Sequence, residues 1–290
     1  MFKRAKAAEL NEKANKLKDH GKIEQAVAIY QKAAAADPKW PVPLYNLGLL
    51  YKNGRDWRKS LHYNRLATEL DAKNQAAWWN LGIAATALGR WNLARSAWRG
   101  FGIDVPDGEG PVDLPCGYCP IRIEPNGQAE VVWANRIDPA RAVLESIPFP
   151  ESRHHWRDTV LNDGAPNGYR KHKGKDVPVF DELELLQPSA FATFVARVDM
   201  PAEQQHIVQL AELASQMDGS AEDWSTSVRL ICKACSEGRP HKTHDSAAAP
   251  PDGIHSVAIA ARDQKHARSI LSAWEAGSNA VHVESLDDGS

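Results

Sequence analysis

The chain has 290 residues, with 35 Lys and Arg against 37 Asp and Glu and a formal net charge of −2. That length exceeds one ordinary core and calls for two or three modules, while the near-neutral balance gives no global attraction to nucleic acid or an anionic membrane. The N-terminal stretch MFKRAKAAELNEKANKLKDHGK is charged and helix-forming, and no run of about 18 apolar residues occurs anywhere; the expectation is a cytoplasmic protein without a membrane span.

Residues 7–102 repeat. The segments GKIEQAVAIYQKAAAADP (21–38), GRDWRKSLHYNRLATELDA (54–72) and GRWNLARSAWRGFGI (89–103) align so that the small residues Ala26, Ser60 and Ala94 recur every 34 positions. Leu47-Gly48 and Leu81-Gly82 fall in the first helix of a helical hairpin, Gly54 and Gly89 at its turn, and Asp37-Pro38 at the close of the first repeat. Asp71-Ala72 lacks that proline, and Lys13-Ala14 stands where the first repeat should carry Leu-Gly. Gly48 and Gly82 allow a paired helix to approach, and Tyr30, Tyr63, Trp91 and Trp98 supply bulk between repeats.

On these residues the region resembles the tetratricopeptide repeat (TPR) family. The resemblance implies three helix–turn–helix repeats and a concave surface, lined by the first helices, that holds a partner peptide or helix. Carried over position by position, the partner-binding residues are Asn11, Asn15 and Lys18, then Tyr45, Leu49 and Lys52, then Trp79, Ile83 and Thr86. One subclass of the family clamps a C-terminal carboxylate of chaperones; Asn15 and Asn46 match that clamp, but its basic positions hold Asn11, Ala76 and Asn80. The groove so drawn is polar at one end and apolar at the other, which suits an amphipathic helix or an extended apolar peptide. The same apolar residues would also suit burial against the chain's own downstream modules.

The stretch GIDVPDGEGPVDLP carries Gly, Pro and Asp at a helix-stopping density, so residues 103–114 read as a linker after a 1–102 array. From 115 to 188 the texture is that of strands: YCPIRIEP, AEVVWANRI, DTVLND and GYRKHKGKDVPVFDELELL. Asn126-Gly127 predicts a two-residue hairpin turn, and Asp138-Pro139 predicts the start of a short helix, DPARAVLESI. The sum is a β-rich domain, a small and mostly antiparallel sheet or partial barrel. Residues 189–290 alternate strand 191–198, helix 201–217, strand 225–233, strand 255–262, helix 263–276 and strand 279–286, a βαββαβ order of ferredoxin-like type. Ile207, Leu210, Ala211 and Leu213, and then Ala267, Ile270, Leu271 and Trp274, mark the apolar helix faces. The predicted fold class is therefore multidomain α + (α+β): a TPR helical array, a β-rich middle domain and a ferredoxin-like module.

All four cysteines fall in Cys-x-x-Cys pairs, Cys116 with Cys119 and Cys232 with Cys235. Two thiolates at that spacing chelate one tetrahedral ion, and a structural zinc needs four ligands. The two pairs together form the preferred set; Cys232 and Cys235 with His241 and His244 form the alternative. A redox dithiol is disfavoured because Pro120 leads into a strand rather than opening a helix. The expected role is a non-enzymatic protein-interaction adaptor or scaffold with a structural Zn2+, whose partner is a protein or peptide rather than nucleic acid. Two rivals carry less of the sequence. One is an RNA- or ribosome-associated factor, drawing on the basic string NDGAPNGYRKHKGK (162–175); the other is a metal-dependent hydrolase built on His241, His244 and Asp245 with His154-His155.

Overall fold

The computed structural model describes residues 2–288 apart from Asn126, Gln128, Lys173, Ala202, Glu203, 226–252 and Asn279. It divides into two compact units: Met1–Pro115 with Ile137–Ala140, and Cys116–Arg136 with Arg141–Ser290. The first unit is built from helices α1 (Phe2–Asp19), α2 (Ile23–Ala36), α3 (Val42–Asn53), α4 (Trp57–Leu70), α5 (Gln75–Ala87) and α6 (Trp91–Phe101).

Close approach sets its period. Gly48 on α3 faces Asn64 on α4, and a Cβ at Gly48 would lie 2.5 Å from the Asn64 amide nitrogen. One period on, a Cβ at Gly82 would lie 2.5 Å from the Trp98 ring. In the first repeat Ala14 and Tyr30 occupy the same two positions and share a core cluster. Ala26, Ser60 and Ala94 are fully buried beside these contacts. A larger residue at any of them would force the hairpins apart.

The turns obey the same register. Gly21, Arg55 and Gly89 take left-handed backbone angles, with φ of 72°, 58° and 63°. Their N–H groups donate to the carbonyls of Lys18, Lys52 and Thr86, and the next N–H in each case reaches Leu17, Tyr51 and Ala85. This double bond is the helix-ending motif that favours glycine. Gly54 lies at the second turn as the C-cap of α3 with φ −85°, and the left-handed position there falls on Arg55. The reason is that packing of Ser60 fixes the register, and the left-handed site lies five residues before it, as it does before Ala26 and Ala94.

The segment after α6 has neither helix nor strand, yet it is tied down. Arg95, buried on α6, donates from Nε to the Pro106 carbonyl at 2.9 Å, from Nη1 to Gly110 at 2.7 Å and from Nη2 to Pro111 at 3.3 Å. Arg99 adds the Val105 carbonyl and the Asp107 carboxylate. Val105 and Val112 are buried. This strap meets the need of a terminal repeat for cover on its last face.

In the second unit, β1 (Gly117–Ile123), β2 (Glu130–Arg136), β3 (Arg141–Leu144), β4 (Thr159–His172) and β5 (Lys175–Gln187) close into a barrel. Successive strands are antiparallel, and β1 closes on β5 in parallel through Ile121 with Phe180 and Arg122 with Asp181. Cys119, Ile121, Ile123, Val132, Ala134, Ala142, Leu144, Val160 and Phe180 fill the interior. The buried Arg122 locks the closure: its Nε donates to Asp181 at 2.6 Å and its Nη2 to the Asn167 carbonyl at 3.0 Å.

One local expectation fails here. DPARAVLESI forms no helix; the Asp138 side chain accepts from the Ala140 N–H at 2.7 Å, and Arg141–Leu144 then pairs with β2 and β4. An Asp-Pro start serves a turn as well as a helix cap, and sheet pairing decided between them. The predicted Asn126-Gly127 turn includes Asn126, which lies outside the described residues; the β1–β2 ladder, ending with Ile123 opposite Glu130, is centred on that dipeptide, and Gly127 donates to the Glu124 carbonyl. The string 162–175 is largely strand, with register shifts at Leu161/Asn162, Asn162/Pro166 and Pro166/Tyr169 that absorb its Gly and Pro.

The rest of the unit runs β6 (Ala192–Asp199), α7 (Gln204–Gln216), β7 (Ser220–Asp223), β8 (Ile254–Ala261), α8 (Gln264–Ala276) and β9 (His282–Asp288). The sheet order is β7-β8-β6-β9, antiparallel throughout. The second strand lies at Ser220–Asp223, ahead of the predicted 225–233, whose residues from 226 onward lie outside the described residues. Leu210, Ile270, Leu271 and Trp274 cover one face with Phe194, Val198, Val257 and Ile259. Ala258 and Ala260 pack with Ile147 and Trp156, joining this sheet to the barrel.

Arg55 offers a direct check on the turn. A left-handed residue with a Cβ costs about 1 kcal/mol, so Arg55→Gly should raise the thermal midpoint of the helical unit by about 3 °C, and Gly89→Ala should lower it by a similar amount. Calorimetry on both variants measures this directly.

Candidate functional site

The first helices, α1, α3 and α5, carry the nine groove positions. Asn11 is buried, and its Oδ1 accepts from Asn46 Nδ2 at 2.9 Å, tying α3 to α1. Asn15 accepts from the Tyr30 hydroxyl at 2.5 Å and donates to Glu12 at 3.3 Å. Burial, aided by the charges of Asp19 and Glu12, pushes the Tyr30 phenol above its ordinary value, so it donates at any physiological pH. Lys18 pairs with Asp19 at 3.2 Å.

Trp79 is half-buried, set edge-on against Trp98 at 5.2 Å and Phe101 at 4.7 Å. Lys52, Ile83 and Thr86 are buried. The nine positions therefore divide. Asn15, Lys18, Tyr45, Leu49 and Trp79 keep solvent-facing surface, while Asn11, Lys52, Ile83 and Thr86 do not. The clamp positions read the same way: Asn11 and Asn80 are buried and Ala76 is exposed, so none offers a cation.

This part of the chain is TPR-like. Six helices in hairpins, small-to-large contacts one period apart and the repeated left-handed turn establish it. No family model matches the chain, and no curated protein matches its sequence. Among solved structures, the second TPR domain of Spaghetti (RPAP3), bound to the HSP90 peptide SRMEEVD, is similar at 23% identity and TM-score 0.32, over 34% of this chain and 91% of its own. The first TPR domain of the same protein, with the same peptide, gives 29% identity and TM-score 0.32, over 33% and 77%. The C-terminal TPR-containing domain of a Plasmodium falciparum FK506-binding protein gives 19% and 0.31, over 34% and 76%.

The cysteines separate. Cys116 is exposed, whereas Cys119 lies within the barrel core, where burial pushes its thiol up to about 11 against the pull of the Arg136 guanidinium. Among the described residues, no three His, Cys, Asp or Glu side chains gather as a metal site. Cys232, Cys235, His241, His244 and Asp245 lie outside the described residues. His154 is committed to structure: its Nε2 meets Glu182 Oε1 at 2.8 Å, its Nδ1 meets the Ser152 carbonyl at 2.8 Å, and both side chains are buried. Glu182 also accepts from the Glu124 N–H. No helix among the described residues is long and apolar enough to cross a membrane.

The sequence reading missed a cluster of rings on the barrel. Tyr118 and Trp133 stack at 4.9 Å and 3°, with His172 at 4.7 Å from Trp133. Strand alternation is the signal that would have found it, since both residues lie opposite the inward Cys119, Val132 and Ala134.

Two outcomes follow. At pH 8, alkylation followed by peptide mapping should modify the exposed Cys116 in the folded protein, whereas Cys119 should react only on unfolding. For His154, burial disfavours the charged ring, but the Glu182 hydrogen bond and charge and the Ser152 carbonyl outweigh it and hold the pKa above its ordinary value. A raised folded pKa stabilises fully below about pH 6.5 and is lost as pH rises through the folded value. The denaturant midpoint should accordingly fall above pH 6.5 relative to a His154→Gln variant, whose profile lacks that slope.

Proposed function

We propose that the protein is an interaction module that binds a partner's amphipathic helix or extended apolar peptide along α1, α3 and α5. The observation that carries this is the set of solvent-facing positions on the first helices, where Tyr45, Leu49 and Trp79 follow the polar Asn15 and Lys18. Apolar anchors beside a polar end recognise an amphipathic segment. An acidic peptide such as the SRMEEVD bound by the two Spaghetti domains is a poor match, because Asn11, Ala76 and Asn80 supply no positive charge. In the second unit, the order β7-β8-β6-β9 with helices after β6 and β8 supports a ferredoxin-like reading; that topology assigns no chemistry by itself.

Leu49 is the position to test. Trp79 braces Trp98 and Phe101, so its removal would mix folding with binding. Peptides selected by display on the full chain should be apolar or amphipathic, and Leu49→Glu should weaken the best of them by at least about tenfold, since a buried charge opposes an apolar contact by more than 1.4 kcal/mol. The circular dichroism spectrum and melting temperature should stay at wild-type values. Unchanged affinity in that variant would remove the groove as the binding surface.

A further inference from the structure

We propose that the outer face of the barrel binds single-stranded nucleic acid, with Tyr118 and Trp133 as the stacking surface and the β4–β5 hairpin as the phosphate contact. Tyr118 on β1 pairs in register with Asn135, and Pro120 pairs with Trp133, so both rings stand on the face opposite the barrel core. Their planes are within 3° of parallel, and the His172 ring closes the group at 4.7 Å from Trp133 and 6.1 Å from Tyr118. Packing alone would cover such rings, yet Tyr118 keeps 50% of its surface exposed and Tyr169, on the adjoining hairpin, keeps 59%.

The hairpin beside them carries a net positive charge. The hairpin sequence from Tyr169 to Asp176 holds Arg170, Lys171, Lys173 and Lys175 against the single acid Asp176, in a chain of net charge −2. Asp176 pairs with Lys171 at 2.8 Å and leaves the hairpin positive. Arg170 donates to the Val131 carbonyl at 3.0 Å, which fastens the hairpin to the strand that carries Trp133. An exposed ring held flat by a stacked partner, beside a basic track, is what a single strand uses, because bases stack on the ring while phosphates meet the cations. A duplex keeps its bases stacked on one another and has no use for the rings. An acidic peptide would use the charge and leave the rings idle. The near-neutral total is no objection, since the patch is local.

The test uses the full chain and fluorescently labelled oligo(dT) and oligo(U) of about 12 nucleotides, read by anisotropy. Contact with about three phosphates predicts a loss of about twentyfold in affinity between 50 and 200 mM salt. Tyr118→Ala should weaken binding about tenfold at fixed salt, and Tyr118→Phe should restore it. The Lys171→Ala/Lys175→Ala pair lies at exposed positions, and that variant should flatten the salt dependence with its melting temperature unchanged. Absence of binding at 50 mM salt would overturn the proposal, as would indifference to Tyr118→Ala, or equal competition by a poly-glutamate peptide of matched charge.

Discussion

A small residue, glycine in two of the three repeats, set against a larger one once per period is the constraint on which the helical unit rests. Where Gly82 meets Trp98, even one methyl group would intrude on the ring. The relation recurs at Gly48 with Asn64, and Gly100 on α6 stands in similar contact with Trp78. Interiors packed at crystal density tolerate little added volume, so these pairs fix both the distance between helices and the register of the turns. That register is strong enough to hold Arg55 in a left-handed conformation a glycine would adopt without strain. It also determines which side chains are left for a partner, because Trp79 is held by Trp98 and Phe101 before any ligand arrives.

Buried charge is handled alike in both units. Arg95 is surrounded by backbone carbonyls of the strap, Arg122 by Asp181 and the Asn167 carbonyl, and His154 by Glu182 and the Ser152 carbonyl. A desolvated cation is costly unless its hydrogen bonds are made. Each of these is placed where chain segments distant in sequence must meet: the strap on α6, the parallel closure of the barrel, and the β3–β4 connection against β5. Their contribution is to specify which segments join more than to add net stability.

The two proposed binding surfaces differ in chemistry as they differ in origin. The helical groove uses a short row of apolar side chains bounded by asparagine and lysine, which suits a protein segment. The barrel face uses stacked rings with a basic hairpin, which suits a polyanion with planar bases. Neither surface needs a reacting group. The buried histidine and the core thiol, which sequence alone offers as chemistry, are absorbed into packing.

What was legible in the sequence follows from locality. The repeat region announced itself because each small-to-large contact lies within one hairpin and returns every 34 residues, so periodicity carried the packing rule on its surface. The apolar faces of α7 and α8 were readable for the same reason: a helix displays its buried face within a few turns. The short helix expected after Asp138 failed because a four-residue strand is decided by the neighbours it pairs with, β2 and β4, and not by its own residues. Likewise Cys119 faces inward because of strand alternation in a closed barrel, and Tyr118 and Trp133 became neighbours only when β1 met β2. The sequence by itself determined the helical period, the helix faces and the positions of the small residues, because those depend on near neighbours. Only the tertiary structure decided which way Cys119 points, what Arg95 and His154 hold, and which rings share a surface, because each of those depends on segments that meet only when the chain has folded.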